Sequence, residues 1–249
     1  MEYHSEAFLV HGNINPITKG FKHLLKDSSN ESCGIFVFKN NKFEYDFVSF
    51  DNSNKYYKDQ FNINDKNFYK YYLSGDVISL CHSHNIDDPS PSEIDIEISE
   101  SLGIPSFIIS TSSKESFLYY PQSYKPPPLN GRIFIPMFQD CMNYIKDYYE
   151  LELNIKLSKD IKNWSRNRSG TNQKINKQIN NNFRLIDNKK FKHGDLIVFE
   201  RNPSTLFHLG VVNRDLMLSH HPINCFPNDQ FIDTTSADKV YKVYRYKDL

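Results

Sequence analysis

The run Cys81-His82-Ser83-His84, followed after seven residues by Ser92 and after two more by Asp95, has the spacing of a metal site with a serine inside it. An H-x-H pair at a strand end puts both imidazoles on one side, because strand side chains alternate with a period of two. Asp95 can close the site from the first turn of the next element, giving two histidines and a carboxylate around one zinc. Three protein ligands leave a fourth position for water, the open coordination of a catalytic zinc, and water on zinc has its pKa lowered toward ~7. The competing reading is a polar loop with two surface histidines, and the four-residue spacing weighs against it. Peptide hydrolysis at such a centre also requires a general base and a group to hold the oxyanion. Glu31, just before the apolar run 33–38, is the candidate base, with Glu97 and Glu100 on the following helix as alternatives; Ser92 is the candidate oxyanion donor.

A second constellation carries a thiol. Asp140 reads as the N-cap of a helix running to about Leu151, with Cys141 in its first turn, where free amides and the helix dipole favour thiolate. His208, in Phe207-His208-Leu209-Gly210, falls within an apolar strand pattern, and the glycine two residues on would let a substrate backbone approach. His220 follows twelve residues later and could orient the first imidazole, with adjacent His221 competing for that role. Any one of these residues alone is more often structural. The ordered set of Cys, His and His reads as a triad.

The elements that must position these groups are legible in outline. Residues 20–26 read as a short helix with Phe21, Leu24 and Leu25 on one face. The run 33–38 reads as a buried strand, Asn40-Asn41 as a turn and 43–50 as the return strand of a hairpin. Residues 77–81 form another strand pattern that delivers the histidines, and Ser92 caps a helix with Ile94, Ile98 and Leu102 at helical spacing. Residues 106–110 and 116–120 complete the strands of the first half. The stretch 121–130, with Pro126-Pro127-Pro128 in it, can form neither helix nor central strand and reads as a semi-rigid linker between domains 1–120 and 131–249.

In the second half, residues 156–193 hold eleven Lys or Arg against two Asp, with Ile175, Ile179 and Phe183 as one helical stripe. A solvated basic face is favoured there over an anion-binding patch. Strands follow at 196–199, 206–212 and 240–246, with His193-Gly194-Asp195 turning into the first, so this half is helix first and sheet after, an α+β pattern. The 30 basic and 30 acidic residues balance, which argues against nucleic acid or an acidic membrane surface as partner. No apolar run approaches the ~20 residues of a membrane helix. Met1-Glu2-Tyr3-His4-Ser5-Glu6 lacks the features of a signal peptide, so the expectation is synthesis and residence in a cytoplasm until something else moves the protein. Cys33, Cys81, Cys141 and Cys225 have no CxxC spacing, which argues against a disulfide framework.

Glu31-Ser32-Cys33-Gly34, followed about fifty residues later by His82-x-His84, Ser92 and Asp95, resembles the JAMM metalloprotease family over roughly residues 5–120. That resemblance implies an α/β metalloprotease fold, Glu31 as base, His82, His84 and Asp95 as Zn2+ ligands, and Ser92 steadying the tetrahedral intermediate. Asn85 stands where a proline commonly follows the second histidine. The second half resembles the NlpC-type cysteine peptidases, papain-like α+β hydrolases of bacterial wall peptides. This implies Cys141 as nucleophile, His208 as base and His220 as the third member. Met142-Asn143 replaces the usual Ser-Gly, whereas Lys146-Asp147-Tyr148-Tyr149 is similar to a divergent branch found in phage tails.

The pairing of the two halves resembles the family of lambda-type tail assembly protein K of long-tailed phages. It implies a tail-tip hydrolase, assembled in the bacterial host cytoplasm and carried in the virion, whose second half cuts the D-glutamyl–diamino acid bond of peptidoglycan stem peptides. Its partners would be those wall peptides and other tail-tip proteins. The alternative is a structural tail-tip protein in which one or both sites are inactive. An isopeptidase acting on host proteins shares the zinc motif but leaves the Cys141 half without a role.

Overall fold

The computed structural model describes residues 15–26, 30–54, 56–57, 60–158, 161–162, 179–186, 190–202, 205–221, 227–230 and 240–249. The N-terminal hexapeptide, Ile175 with most of the basic segment, and Cys225 lie outside the described residues. The chain divides into two compact units, Met1–Lys125 with Lys159–Trp164, and Pro126–Ser158 with Ser165–Leu249. Both mix helices and strands.

The first unit is built on the apolar run that begins at Cys33. Strands β1 (Cys33–Lys39) and β2 (Glu44–Phe50) pair antiparallel from Cys33↔Phe50 to Lys39↔Glu44. Asn40 and Asn41 make the turn at φ of 48° and 55°, a left-handed conformation that asparagine tolerates better than most residues. β1 also pairs antiparallel with β3 (Val77–His84), which runs parallel to β4 (Ser106–Ser110). β5 (Ser116–Tyr119) and the two-residue β6 (Ile161–Lys162) extend the sheet to the order β2-β1-β3-β4-β5-β6.

The inner strands β1, β3 and β4 are covered on both faces and buried along almost their whole length, whereas edge strand β2 alternates. Helix α1 (Asn15–Leu24) starts five residues earlier than the sequence pattern predicts and buries Ile17, Phe21 and Leu24, with Phe21 against Phe107 at 5.3 Å between ring centroids. The other face carries Cys33, Ile35, Val37 and Leu80, packed by Phe68 of α2 (Lys66–Leu73) and by Ile98 and Leu102 of α3 (Glu93–Leu102). Helix α2 was not foreseen from the sequence; its Asp65 cap accepts from the Asn67 amide at 2.7 Å, but its aromatic-rich stretch buries only Phe68.

Gly34 sits where β1 passes over Phe47. A Cβ there would collide with the Phe47 ring and lie 2.7 Å from the Val48 carbonyl oxygen, which is backbone and cannot yield cheaply. Gly34→Ala is expected to destabilise the first unit by about 1–3 kcal/mol, the usual cost of overpacking a core, and a fall in the urea midpoint checks it.

In the second unit, α4 (Cys141–Leu153) lies against a six-stranded antiparallel sheet. The strands are β7 (Phe183–Leu185), β8 (Leu196–Asn202), β9 (Thr205–Val212), β10 (Leu218–His220), β11 (Asn228–Gln230) and β12 (Val240–Tyr246), in the order β11-β10-β9-β8-β12-β7. Tyr144, Ile145, Tyr148 and Tyr149 of α4 pack with Leu196, Val198, Leu209 and Val211. Arg132 binds the proline stretch to α4: it donates to the Pro127 and Pro128 carbonyls and pairs with Asp147 at 2.6 Å, with both side chains buried. Ile179 and Phe183 are buried in the same core, but Phe183 belongs to β7 rather than to a helix, paired with Tyr246. β10 and β11 are three residues each, too short for a period-two pattern to announce them.

Candidate functional site

Strand register assembles the first site. β1 and β3 pair so that Cys33 faces His82, and the pairing continues as Ser83 donates its amide to the Ser32 carbonyl at 2.9 Å. Ser83 Oγ in turn accepts from the Ser32 amide at 2.9 Å. One step further along the same register brings Glu31 beside His84. His82 and His84 share the face of β3 that Leu80 turns toward α3, as alternation requires. The strand end is pinned by β4: the Thr111 amide donates to the His84 carbonyl at 2.8 Å, and Ser110 Oγ to the Ile86 carbonyl at 2.6 Å.

The carboxylate arrives on the first turn of α3 through a capping box. Ser92 Oγ accepts from the Asp95 amide at 3.2 Å, while the Ser92 amide donates to Asp95 Oδ2 at 2.8 Å. His82 Nε2 lies 3.1 Å from His84 Nε2 and 3.1 Å from Asp95 Oδ1, and His84 Nε2 lies 3.3 Å from Asp95 Oδ2. A tetrahedral ion with ligand bonds of ~2.0–2.1 Å sets its ligand atoms ~3.3 Å apart, so the three groups fit one metal ion. His84 Nδ1 faces the Asp88 carbonyl at 3.3 Å; a proton held there leaves the lone pair on Nε2, the nitrogen facing the cluster. Among the described residues this is the one such cluster of His, Cys, Asp and Glu.

Electrostatics follow the same convergence. Burial holds the His82 pKa below that of a free imidazole, against the pull of Asp95. Burial also opposes charge on His84, yet Asp95 and Glu31 together hold its pKa above the ordinary value. Burial works against the Asp95 carboxylate too, but hydrogen bonds from both histidines keep it well below the usual carboxylate range.

Glu31 is 4% exposed, with Oε1 3.9 Å from His84 Nε2. That gap is too long for a hydrogen bond. Of the alternatives, Glu97 is exposed, and Glu100 accepts from the Tyr119 hydroxyl at 2.6 Å and the Gln122 amide at 2.8 Å. Ser92 differs from the expectation of a free oxyanion donor. Its hydroxyl donates to Asp95 Oδ2 at 2.7 Å, because the capping box that sets Asp95 in place also brings the two side chains together.

In the second constellation the two histidines of the expected set meet. Asp140 caps α4, with Oδ1 accepting from the Asn143 amide at 3.0 Å, and Cys141 is the first helical residue. Cys141 is half-buried and packs against the core that holds Leu209 of β9, one residue from His208. His208 Nε2 meets His220 Nδ1 at 2.7 Å, which leaves Nδ1 of His208 as the nitrogen to act on a thiol. His221 is fully buried and turns to the rings of Phe134 and Tyr144 instead. Gly210 does not open a path for substrate. A Cβ there would strike the side chain of Leu218 and come within 3.3 Å of His220 Cβ, so the glycine admits β10.

The expected low thiol pKa is reversed. Burial pushes the Cys141 thiol up to about 12, with the Asp140 charge adding to it, and this outweighs the helix N-terminus. Burial, then His220 and His221, brings the His208 pKa down to about 3. Folding therefore opposes protonation of His208. Its neutral form is present in both folded and unfolded chains above pH 6.5, so stability is lost as pH falls from 6.5 toward 3. The second unit is expected to lose up to about 1.4 kcal/mol per pH unit in that window. His208→Gln is expected to flatten this dependence in denaturant titrations at stepped pH.

Two residues beside the first site had no sequence signal. Phe61 stacks on the His82 ring with centroids 4.3 Å apart, and Asn52 donates to the Glu31 carbonyl at 3.0 Å. Asp51-Asn52-Ser53-Asn54 reads only as polar loop, and no spacing rule ties residues 52 or 61 to the histidines.

Residues 17–120 match the family model Prok-JAB, described as prokaryotic homologs of the JAB domain, the JAMM-like class that the first half resembles. The chain is also similar to a crystal structure of an NlpC/P60 family protein from Bacillus cereus ATCC 10987, at 10% identity and a TM-score of 0.30. That alignment takes in 90% of this chain and 65% of the other, so the chain spans less than two thirds of that protein's length. A likeness this loose carries no functional argument. No curated protein matches the chain. Among the described residues no helix is long and apolar enough to cross a membrane.

Proposed function

We propose that the first unit is a zinc-dependent peptidase or isopeptidase, that the second is a thiol peptidase acting on bacterial wall peptides, and that both serve one phage tail-tip protein. The observation that carries this reading is the meeting of His82, His84 and Asp95 at ligand spacing with the buried Glu31 carboxylate beside them. When bound, a zinc ion supplies Lewis acidity at the coordination position that three protein ligands leave open. Glu31 takes a proton from the attacking water and returns it to the leaving amine. Ser92 holds Asp95 in register and becomes an oxyanion donor when its hydroxyl turns from Oδ2 toward the substrate.

In the second unit, Cys141 attacks the carbonyl of the D-glutamyl–diamino acid bond as His208 takes the thiol proton. The imidazolium returns that proton to the departing amine, and His220 fixes the ring through the 2.7 Å contact. Wall peptides and neighbouring tail-tip proteins are then the partners, with assembly in the host cytoplasm and residence in the virion. The high thiol pKa and low imidazole pKa favour a second reading, a structural tail-tip protein in which the thiol site is inactive.

Metal analysis of the full chain, with mass spectrometry of peptidoglycan fragments after its digestion, separates the readings. One zinc per chain and release of cut stem peptides are expected; intact stem peptides leave the structural reading for the second unit. Glu31→Gln is expected to keep its zinc and lose ~10²–10⁴-fold in cleavage of isopeptide-linked fluorogenic substrates, the usual share of a general base.

A further inference from the structure

The two histidines of the metal cluster are held in unlike ways. His84 is oriented by its Nδ1 contact with the Asp88 carbonyl at 3.3 Å. His82 is fully buried, and among the described residues its Nδ1 has no hydrogen-bond partner. A ligating imidazole ordinarily takes its orientation from an acceptor at the second ring nitrogen. For His82 the constraint comes from a ring face instead: Phe61 lies over the imidazole at 4.3 Å, with the planes 26° apart.

Phe61 is on a loop rather than a strand, so something must fix the loop. Asn52 does so with every hydrogen bond its amide can make. Nδ2 donates to the carbonyls of Glu31 and Gln60, each at 3.0 Å, and Oδ1 accepts from the amides of Asn54 at 2.9 Å and Asn62 at 3.0 Å. Ser53 closes the loop neck, its amide and hydroxyl both donating to the Asn62 carbonyl at 2.8 Å. One side chain thus ties the segment bearing the Glu31 carboxylate to the segment bearing the Phe61 ring.

We infer that Phe61, fixed by the Asn52 clamp, is a positioning residue that sets the His82 imidazole for metal binding in place of the missing hydrogen bond. The inference rests on the metal-centre reading above and extends it to two residues outside the ligand set. Leucine at position 61 keeps apolar bulk but removes the flat face, whereas tyrosine keeps the ring. Aspartate at position 52 keeps both acceptor contacts and replaces the twofold donor Nδ2 with one oxygen that faces two carbonyls.

The test uses the full chain. Zinc affinity is measured by competition with a chromophoric chelator, the visible absorption of bound cobalt(II) reports coordination geometry, and the melting midpoint of the metal-free protein reports fold. Phe61→Leu is expected to bind zinc about tenfold more weakly and to alter the cobalt bands with the metal-free midpoint retained. Phe61→Tyr is expected to restore both, and Asn52→Asp to move them as Phe61→Leu does. If Phe61→Leu melts too low to assay, Asn52→Asp decides by the same two readouts. Parental zinc affinity and cobalt bands in Phe61→Leu would overturn the inference alone, as would a Phe61→Tyr protein no better than Phe61→Leu. A parent chain that takes up no metal would overturn the metal-centre reading and this inference with it.

Discussion

Asp95→Asn is expected to strip the first unit of metal while its fold survives. The asparagine oxygen can still accept from the Ser92 amide and hydroxyl, which meet Asp95 Oδ2 at 2.8 and 2.7 Å, so the N-terminal turn of α3 stays capped. What goes is the negative charge and one of two carboxylate oxygens, the pair that now faces His82 and His84 at 3.1 and 3.3 Å. The new amide donor points at an imidazole lone pair and occupies it. Changes around a ligand shell cost ~10–100-fold in affinity, and loss of a charged ligand should exceed that range, with peptide cleavage falling to background. Metal content after gel filtration, with circular dichroism as the fold control, measures this. A variant that retained one metal per chain would remove Asp95 from the ligand set.

Cys141→Ala is the second large effect, on the order of 10⁴-fold or more in cleavage of wall peptides, because it removes the thiol that attacks the carbonyl and carries the acyl group. Zinc content should be unchanged, since none of the three ligand candidates lies in this unit. The electrostatics add a feature that separates this thiol from one poised as thiolate. With the thiol pushed up to about 12 and His208 down to about 3, both groups are neutral at pH 7. Alkylation of Cys141 by iodoacetamide should therefore be slow in the native protein and fast after denaturation. Wall peptides cut by the alanine variant at the parental rate would end the triad reading.

The residues alone determined which groups could do chemistry and roughly which elements bear them. His82 and His84 share a side because strands alternate, Ser92 caps a helix because a serine with an acid three residues on satisfies the first-turn amides, and Asp140 does likewise for α4. These are local rules, acting over a few residues, and a sequence carries them openly. Resemblance, not spacing, chose Glu31 over Glu97 and Glu100.

Tertiary structure decided what depends on partners distant in the chain. Antiparallel register between β1 and β3 is what sets Glu31 beside His84 across fifty-odd positions of sequence. The direction of the Cys141 pKa belongs here too: a helix N-terminus argues downward, but burial of the thiol against β9 argues upward and wins, and burial is a property of the packed unit. Gly210 reads as an opening in sequence and is a close contact with β10 in the fold. Asn52 and Phe61 had no pattern to betray them, because a clamp made of backbone hydrogen bonds and a ring face imposes no periodicity on the chain that builds it.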